Sequence, residues 1–212
     1  MLTSELVYSS DHGLMIGFHG CDESVRNKVV LSLDMLRSSN NNWDWLGDGM
    51  YFWQNNYERA LDFATHPPPN VKISNPAVLG AVFSLGNCLD LADKKYLDLV
   101  KMSYDILEAS AKSGGNNLPV NRTPDSFPNS KDKIIRELDC AVIRQLHTLQ
   151  HQADEPPFDS VRALFIEGDE LYKNAGFYQK THIQIAIRNP NCIKGFFIPR
   201  KKVGWPKNSK YG

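Results

Sequence analysis

The chain has 212 residues, of which 42% are hydrophobic and 23% charged, enough for one packed domain and ordinary for a globular protein. Its 24 basic and 24 acidic side chains cancel, which excludes a general electrostatic footprint for nucleic acid and leaves only local patches. No stretch approaches the roughly 20 apolar residues that span a bilayer.

Leu14 to His19 is a short apolar run between Gly13 and Gly20 and reads as a buried strand. Ser24 to Ser38 places Val25, Val29, Leu31, Leu33 and Leu36 at roughly helical spacing, and Ser39 to Asn42 is a polar turn. Leu46 to Trp53 reads as a glycine-hinged loop feeding a strand. Asn56 caps a helix through about Thr65, which Pro67-Pro68-Pro69 stops. Val78 to Leu85 is a strand. Lys94 to about Lys112 is a helix, and the Gly-, Asn-, Pro- and Ser-rich segment 113–131 is a loop insertion. Asp132 to about His151 is a further helix. Val161 to Ile166 and His182 to Ile187 are strands, with a last small strand near Phe196. Strands and helices mix without regular βαβ alternation, so the class is α+β in a single domain over 1–212. The segment 200–212 is a basic tail, carrying Arg200, Lys201, Lys202, Lys207 and Lys210 and no acid.

Cys21, Cys88, Cys140 and Cys192 show no paired metal-ligand spacing, so buried free thiols and no metal site are expected. Met-Leu-Thr-Ser-Glu-Leu-Val-Tyr lacks a basic run followed by an apolar stretch, which points to a cytoplasmic protein.

Four pieces stand in a fixed order: Gly17-Phe-His-Gly20, Gly47-Asp-Gly-Met-Tyr-Phe52, Gly80-Ala-Val-Phe-Ser-Leu-Gly86 and Thr181-His-Ile-Gln-Ile-Ala-Ile187. A histidine followed by glycine lets backbone approach a flat ligand, because glycine has no side chain in the way. Tyr51, beside two glycines, offers an aromatic face. Ile183, Ile185 and Ile187 alternate with His182, Gln184 and Ala186, so His182 or Gln184 can face a cleft. Each also has a plainer reading: His19 as a core histidine, and Phe52, Trp53 and Trp45 as core or loop anchors.

In this ordered set the chain resembles the ADP-ribosyltransferase superfamily, on its diphtheria-toxin-like and poly(ADP-ribose)-polymerase-like branch. The resemblance implies a split, mixed and largely antiparallel sheet with flanking helices. It implies NAD⁺ as co-substrate and a mono-ADP-ribosyltransferase of the bacterial toxin or defence kind. It gives Gly20's backbone to the nicotinamide carboxamide, His19's ring to the adenosine-side ribose and Tyr51 to the nicotinamide ring. A second aromatic expected eleven residues on falls at Asp62, so Phe63, one further, is assigned, although helix packing also asks for an apolar residue there. The third catalytic position, usually glutamate, is Gln184 when the Asn189-Pro190 turn sets the alignment. It is His182 when Ile193-Lys-Gly-Phe-Phe197 sets it. An amide can bond a ribose hydroxyl but cannot act as a base. Glu167, Asp169 and Glu170 could supply a carboxylate or be solvated loop charges. Gly168 to Lys180, with Tyr172, Lys173, Phe177 and Tyr178, takes the place of a target-recognition loop, unless Phe177 and Tyr178 cap the core. The acceptor is a macromolecule, protein or nucleic acid, and a neutralising partner protein is expected for an NAD⁺-consuming toxin. The alternatives are an inactive NAD⁺ or ADP-ribose-binding module of the same fold, a phosphotransferase built on pocket arginines, and a purely structural protein.

Overall fold

The computed structural model describes residues 13–68, 71–123 and 133–204. In chain order these form β1 (Met15–Asp22), α1 (Glu23–Val30), β2 (Met50–Gln54), α2 (Tyr57–Thr65), β3 (Pro76–Phe83) and β4 (Cys88–Asp90). There follow α3 (Lys94–Ser113), β5 (Asn121–Arg122), β6 (Ile135–Arg136), α4 (Glu137–Gln152), β7 (Ser160–Phe165), β8 (His182–Ile187) and β9 (Ile193–Phe197). Seven strands make one mixed sheet in the order β4-β7-β8-β2-β1-β3-β9, with β4 and β7 parallel and the other pairs antiparallel. The class is α+β. Among the described residues no helix is long and apolar enough to cross a membrane.

Local chemistry explains where the elements depart from periodicity. α1 ends at Val30 rather than near Ser38. Leu33 N–H bonds Lys28 C=O and Ser32 N–H bonds Val29 C=O, a Schellman closure with Ser32 at a φ of 57°. Leu33 is consequently 74% exposed, while Leu36 returns to the core on the following loop. α4 starts at Glu137, not Asp132, because Ile135–Arg136 is drawn into a ladder with Asn121–Arg122. Asn121 Oδ1 then accepts from the Leu138 and Asp139 N–H groups and caps α4 from a distant part of the chain. The three-residue β4 carries no period of its own and exists through its parallel register with β7. α2 matches expectation, with Asn56 Oδ1 accepting from Arg59 N–H and the helix ending ahead of Pro67. Of the loop expected over 113–131, residues 124–132 lie outside the described residues, as do 205–212 of the basic tail. Cys21, Cys140 and Cys192 are free thiols and are buried.

One face of the sheet packs Cys21, Met50, Phe52, Leu79, Phe83 and Ile185 beneath α1. The other packs against α4 through Leu46, Ile143, Leu146 and Ala186, and against α2 through Trp53, Ala60 and Val78. α3 sits against α4, where buried Ser103 donates to the Val142 carbonyl at 2.9 Å. The approach of α2 requires glycine in β1, since a Cβ on Gly20 would lie 2.2 Å from the Ala60 carbonyl oxygen. Gly20→Ala is expected to cost roughly 1–3 kcal/mol, read as a lowered Tm, because overpacking against backbone cannot be relieved by a rotamer change.

Candidate functional site

The sheet divides inside β1. β1 pairs with β3 along its whole length, from Met15↔Phe83 to Asp22↔Pro76. With β2 it shares only Gly17↔Gln54 and Phe18↔Trp53. From there β2 continues alone with β8, from Trp53↔Gln184 to Met50↔Ile187. The result is a fork whose arms carry His19 and Gly20 on one side and Tyr51 on the other.

His19 bridges the fork, its Nδ1 lying 2.8 Å from the Tyr51 carbonyl oxygen. A carbonyl only accepts, so Nδ1 carries the proton and Nε2 is left as an acceptor. Burial lowers the His19 pKa, so the ring is neutral near pH 7. The Tyr51 hydroxyl donates to the Gly47 carbonyl at 2.6 Å and accepts from the Leu46 N–H at 3.1 Å. Burial raises its pKa, and the phenol stays protonated. Tyr51 thereby pins the glycine-hinged loop to the strand that the loop feeds.

Paired residues in an antiparallel ladder share a face, and neighbours along a strand alternate. This puts Phe18, Gly20, Tyr51, Trp53, His182 and Gln184 on one face and His19, Met50 and Phe52 on the other. The structure therefore brings Tyr51 and Gln184 together on adjacent strands. His19 lies on the opposite face and meets Tyr51 only at the fork, through the Tyr51 backbone carbonyl.

Gln184 Oε1 accepts from the Trp45 indole N–H. That donor fixes the orientation of the amide, since only the oxygen can face it. The Trp45 ring lies edge-on to Phe165, and the Arg136 guanidinium stands over both at 4.5 and 5.1 Å. His182 is buried. Its Nδ1 meets the Lys180 carbonyl oxygen at 2.7 Å, and its ring stacks on Phe165 at 5.4 Å. Burial lowers the His182 pKa as well. Between the two candidates for the third position, Gln184 is the one held in place by a side-chain donor, whereas His182 packs as a core ring. Phe63 packs on Trp53, with centroids 5.2 Å apart, and belongs to a different cluster from Tyr51.

Glu167 is buried rather than a solvated loop charge. Arg59 Nη2 lies 3.0 and 2.8 Å from its two oxygens, and Arg59 Nη1 lies 3.0 Å from Asp62 Oδ2. Arg59, Trp45 and Arg136 are the site residues that motif reading missed. Arg59 had a local signal: it stands four residues before Phe63, on the same face of α2. Trp45 reaches Gln184, and Arg136 reaches Trp45 and Phe165, only through the fold. The loop after β7 exposes Tyr172 at 61% and Phe177 at 66%, so Phe177 does not cap the core. Among the described residues no cluster of His, Cys, Asp and Glu has the makings of a metal site. A separate apolar groove, lined by Leu33, Leu36, Met50, Ile193 and Phe196, lies on the α1 face.

No family model, curated protein or solved structure matches the chain.

Three histidines have lowered pKa values, His147 being pushed by burial and by Arg188 to about 3, with His19 and His182 shifted the same way. The unfolded chain takes up these protons near pH 6.5, and the folded one does so only at lower pH. Stability is therefore whole above about 6.5 and falls as pH drops below it, by at most about 1.4 kcal/mol per pH unit for each histidine. Urea midpoints measured from pH 7.5 to pH 5 are expected to fall, and to fall less steeply in His147→Phe.

Proposed function

We propose that the chain is an NAD⁺-dependent mono-ADP-ribosyltransferase whose site is the fork between β1 and β2. The observation that carries the reading is the junction of His19, Tyr51 and Gln184 where the sheet divides. An opening within a sheet gives an extended dinucleotide groups from both faces. Neutral His19 offers Nε2 to a ribose hydroxyl on one face. Tyr51 and Gln184 lie along the nicotinamide end on the other. The resemblance in motif order and the split, mixed sheet support the same assignment.

In the reaction the bond between ribose C1′ and the nicotinamide nitrogen breaks. Its electron pair leaves with nicotinamide, and an oxocarbenium-like ribose remains for the acceptor's nucleophile. Gln184 bonds a ribose hydroxyl and holds the sugar, and Trp45 holds Gln184. Because the amide takes no proton, the nucleophile loses its own to another group, which favours single transfer over chain elongation. The exposed Tyr172 and Phe177 suit contact with a macromolecular acceptor. The missing carboxylate also keeps open a second reading, an NAD⁺-binding module without turnover.

Labelled NAD⁺ incubated with the protein and whole-cell lysate is expected to label a protein or a nucleic-acid fraction, and Tyr51→Ala is expected to abolish that label. Saturable NAD⁺ binding with no nicotinamide released, lysate present, would establish the binding module instead. In an active enzyme Trp45→Phe keeps the ring packing and removes the donor to Gln184. It is expected to lower kcat/KM roughly tenfold, about one hydrogen bond's worth of transition-state stabilisation.

A further inference from the structure

The chain leaving α1 turns three large apolar side chains outward. Leu31, Leu33 and Met35 are exposed, the last two at 74% and 73%. Hydrogen bonds fix the segment that bears them. Leu33 N–H bonds the Lys28 carbonyl at 2.9 Å, and Met35 N–H bonds Asp34 Oδ1 at 2.8 Å. Clustered apolar side chains left in water on an ordered surface mark an interaction site. Because the segment is already fixed, burying it on a partner costs little further conformational entropy. This ridge borders a groove of about 480 Å³ that Leu36, Met50, Ile193 and Phe196 also line.

Charge selects what fills the groove. Among the described residues that line it, Asp34 is the one acid and Lys194 the one base. Asp34 Oδ1 accepts from the Met35 N–H, and Lys194 Nζ donates to the Asn191 carbonyl at 2.8 Å. Their charges are thus met by backbone dipoles and not by each other. One charge of each sign gives a small anion or cation no preference. Among the described residues β9 ends the sheet, but joining it as a strand to β9 of a second copy would set Lys194 against Lys194. A lysine within an edge strand opposes such pairing. A two-fold contact through the groove does the reverse. In such a contact residue i meets residue j and j meets i. Asp34 of one copy then faces Lys194 of the second, and the second copy's Asp34 faces Lys194 of the first. Leu33 and Met35 of each copy enter the groove of the other.

We propose that the ridge and the groove are the two halves of one self-complementary surface, through which two copies of the chain associate about a two-fold axis. The inference stands apart from the NAD⁺ reading. Met50 in the groove lies on the face of the sheet opposite Tyr51 and Gln184.

Sedimentation velocity of the full chain, from low to high micromolar concentration, tests it. A monomer–dimer equilibrium is expected within that range. Leu33→Glu is expected to weaken the dimer roughly tenfold or more and to leave the circular dichroism unchanged, since the side chain is largely in water in the monomer. Asp34→Lys and Lys194→Asp each set like charges opposite one another, and each is expected to weaken the dimer by a similar factor. The double variant restores opposite charges in exchanged places and is expected to recover most of the affinity, which a loss of folding would not allow. A monomer at every concentration overturns the proposal. A dimer that Leu33→Glu leaves intact, or a double variant no tighter than either single one, overturns it as well.

Discussion

The structure depends on one interruption, the parting of β1 from β2 after Phe18 and Trp53. A continuous ladder would join these strands through main-chain groups along their length. Here a side chain takes over, and the His19 imidazole spans the gap to the Tyr51 carbonyl. Everything near the fork serves to hold its arms. Full-length pairing with β3 fixes one arm and pairing with β8 fixes the other. Tyr51 ties the second arm to its feeding loop. Arg144 of α4 secures that loop from outside, bonding Asp48 at 2.7 Å together with the Asn40 and Asn41 carbonyls.

Such a fork has chemical consequences. On the proposed reading, a ligand at the fork meets residues of both faces, which strand alternation otherwise separates. His19 and Tyr51 are adjacent across the gap yet point to opposite faces. Each titratable group there is held in its uncharged form, the imidazole by a lowered pKa and the phenol by a raised one. A site of neutral donors and acceptors suits binding and orientation of a glycosidic bond that breaks with its own leaving group. Charge is kept to one side, in the compensated group of Arg59, Asp62, Lys180 and Glu167.

Much of the scaffold could be read from the chain. The alternation in 182–187, the apolar run at 78–85 and the Asn56 cap express local rules, and each names its element. Legibility failed where a partner from elsewhere decides. Ser32 ends α1 through a backbone closure that hydrophobic spacing does not encode. Asn121 caps α4 from across a loop, and β4 depends on β7. The candidate site divides in the same way. His19, Tyr51 and Gln184 stood out because glycine hinges and strand alternation mark them. Trp45 and Arg136 did not, because their contacts with Gln184 and Phe165 join segments remote in sequence. Glu167, in an acidic loop stretch, looks solvated until Arg59 is placed beside it.

The proposed function requires NAD⁺ to bind at the fork. The most direct measurement is an NAD⁺ titration of ¹⁵N-labelled protein with assigned backbone amides and the assigned side-chain amide of Gln184. Binding at the fork gives saturable shifts concentrated at Phe18 to Cys21, at Met50 to Trp53 and at the Gln184 amide. Shifts confined to the groove around Leu33 and Phe196 on the α1 face, or none at millimolar NAD⁺, would contradict it.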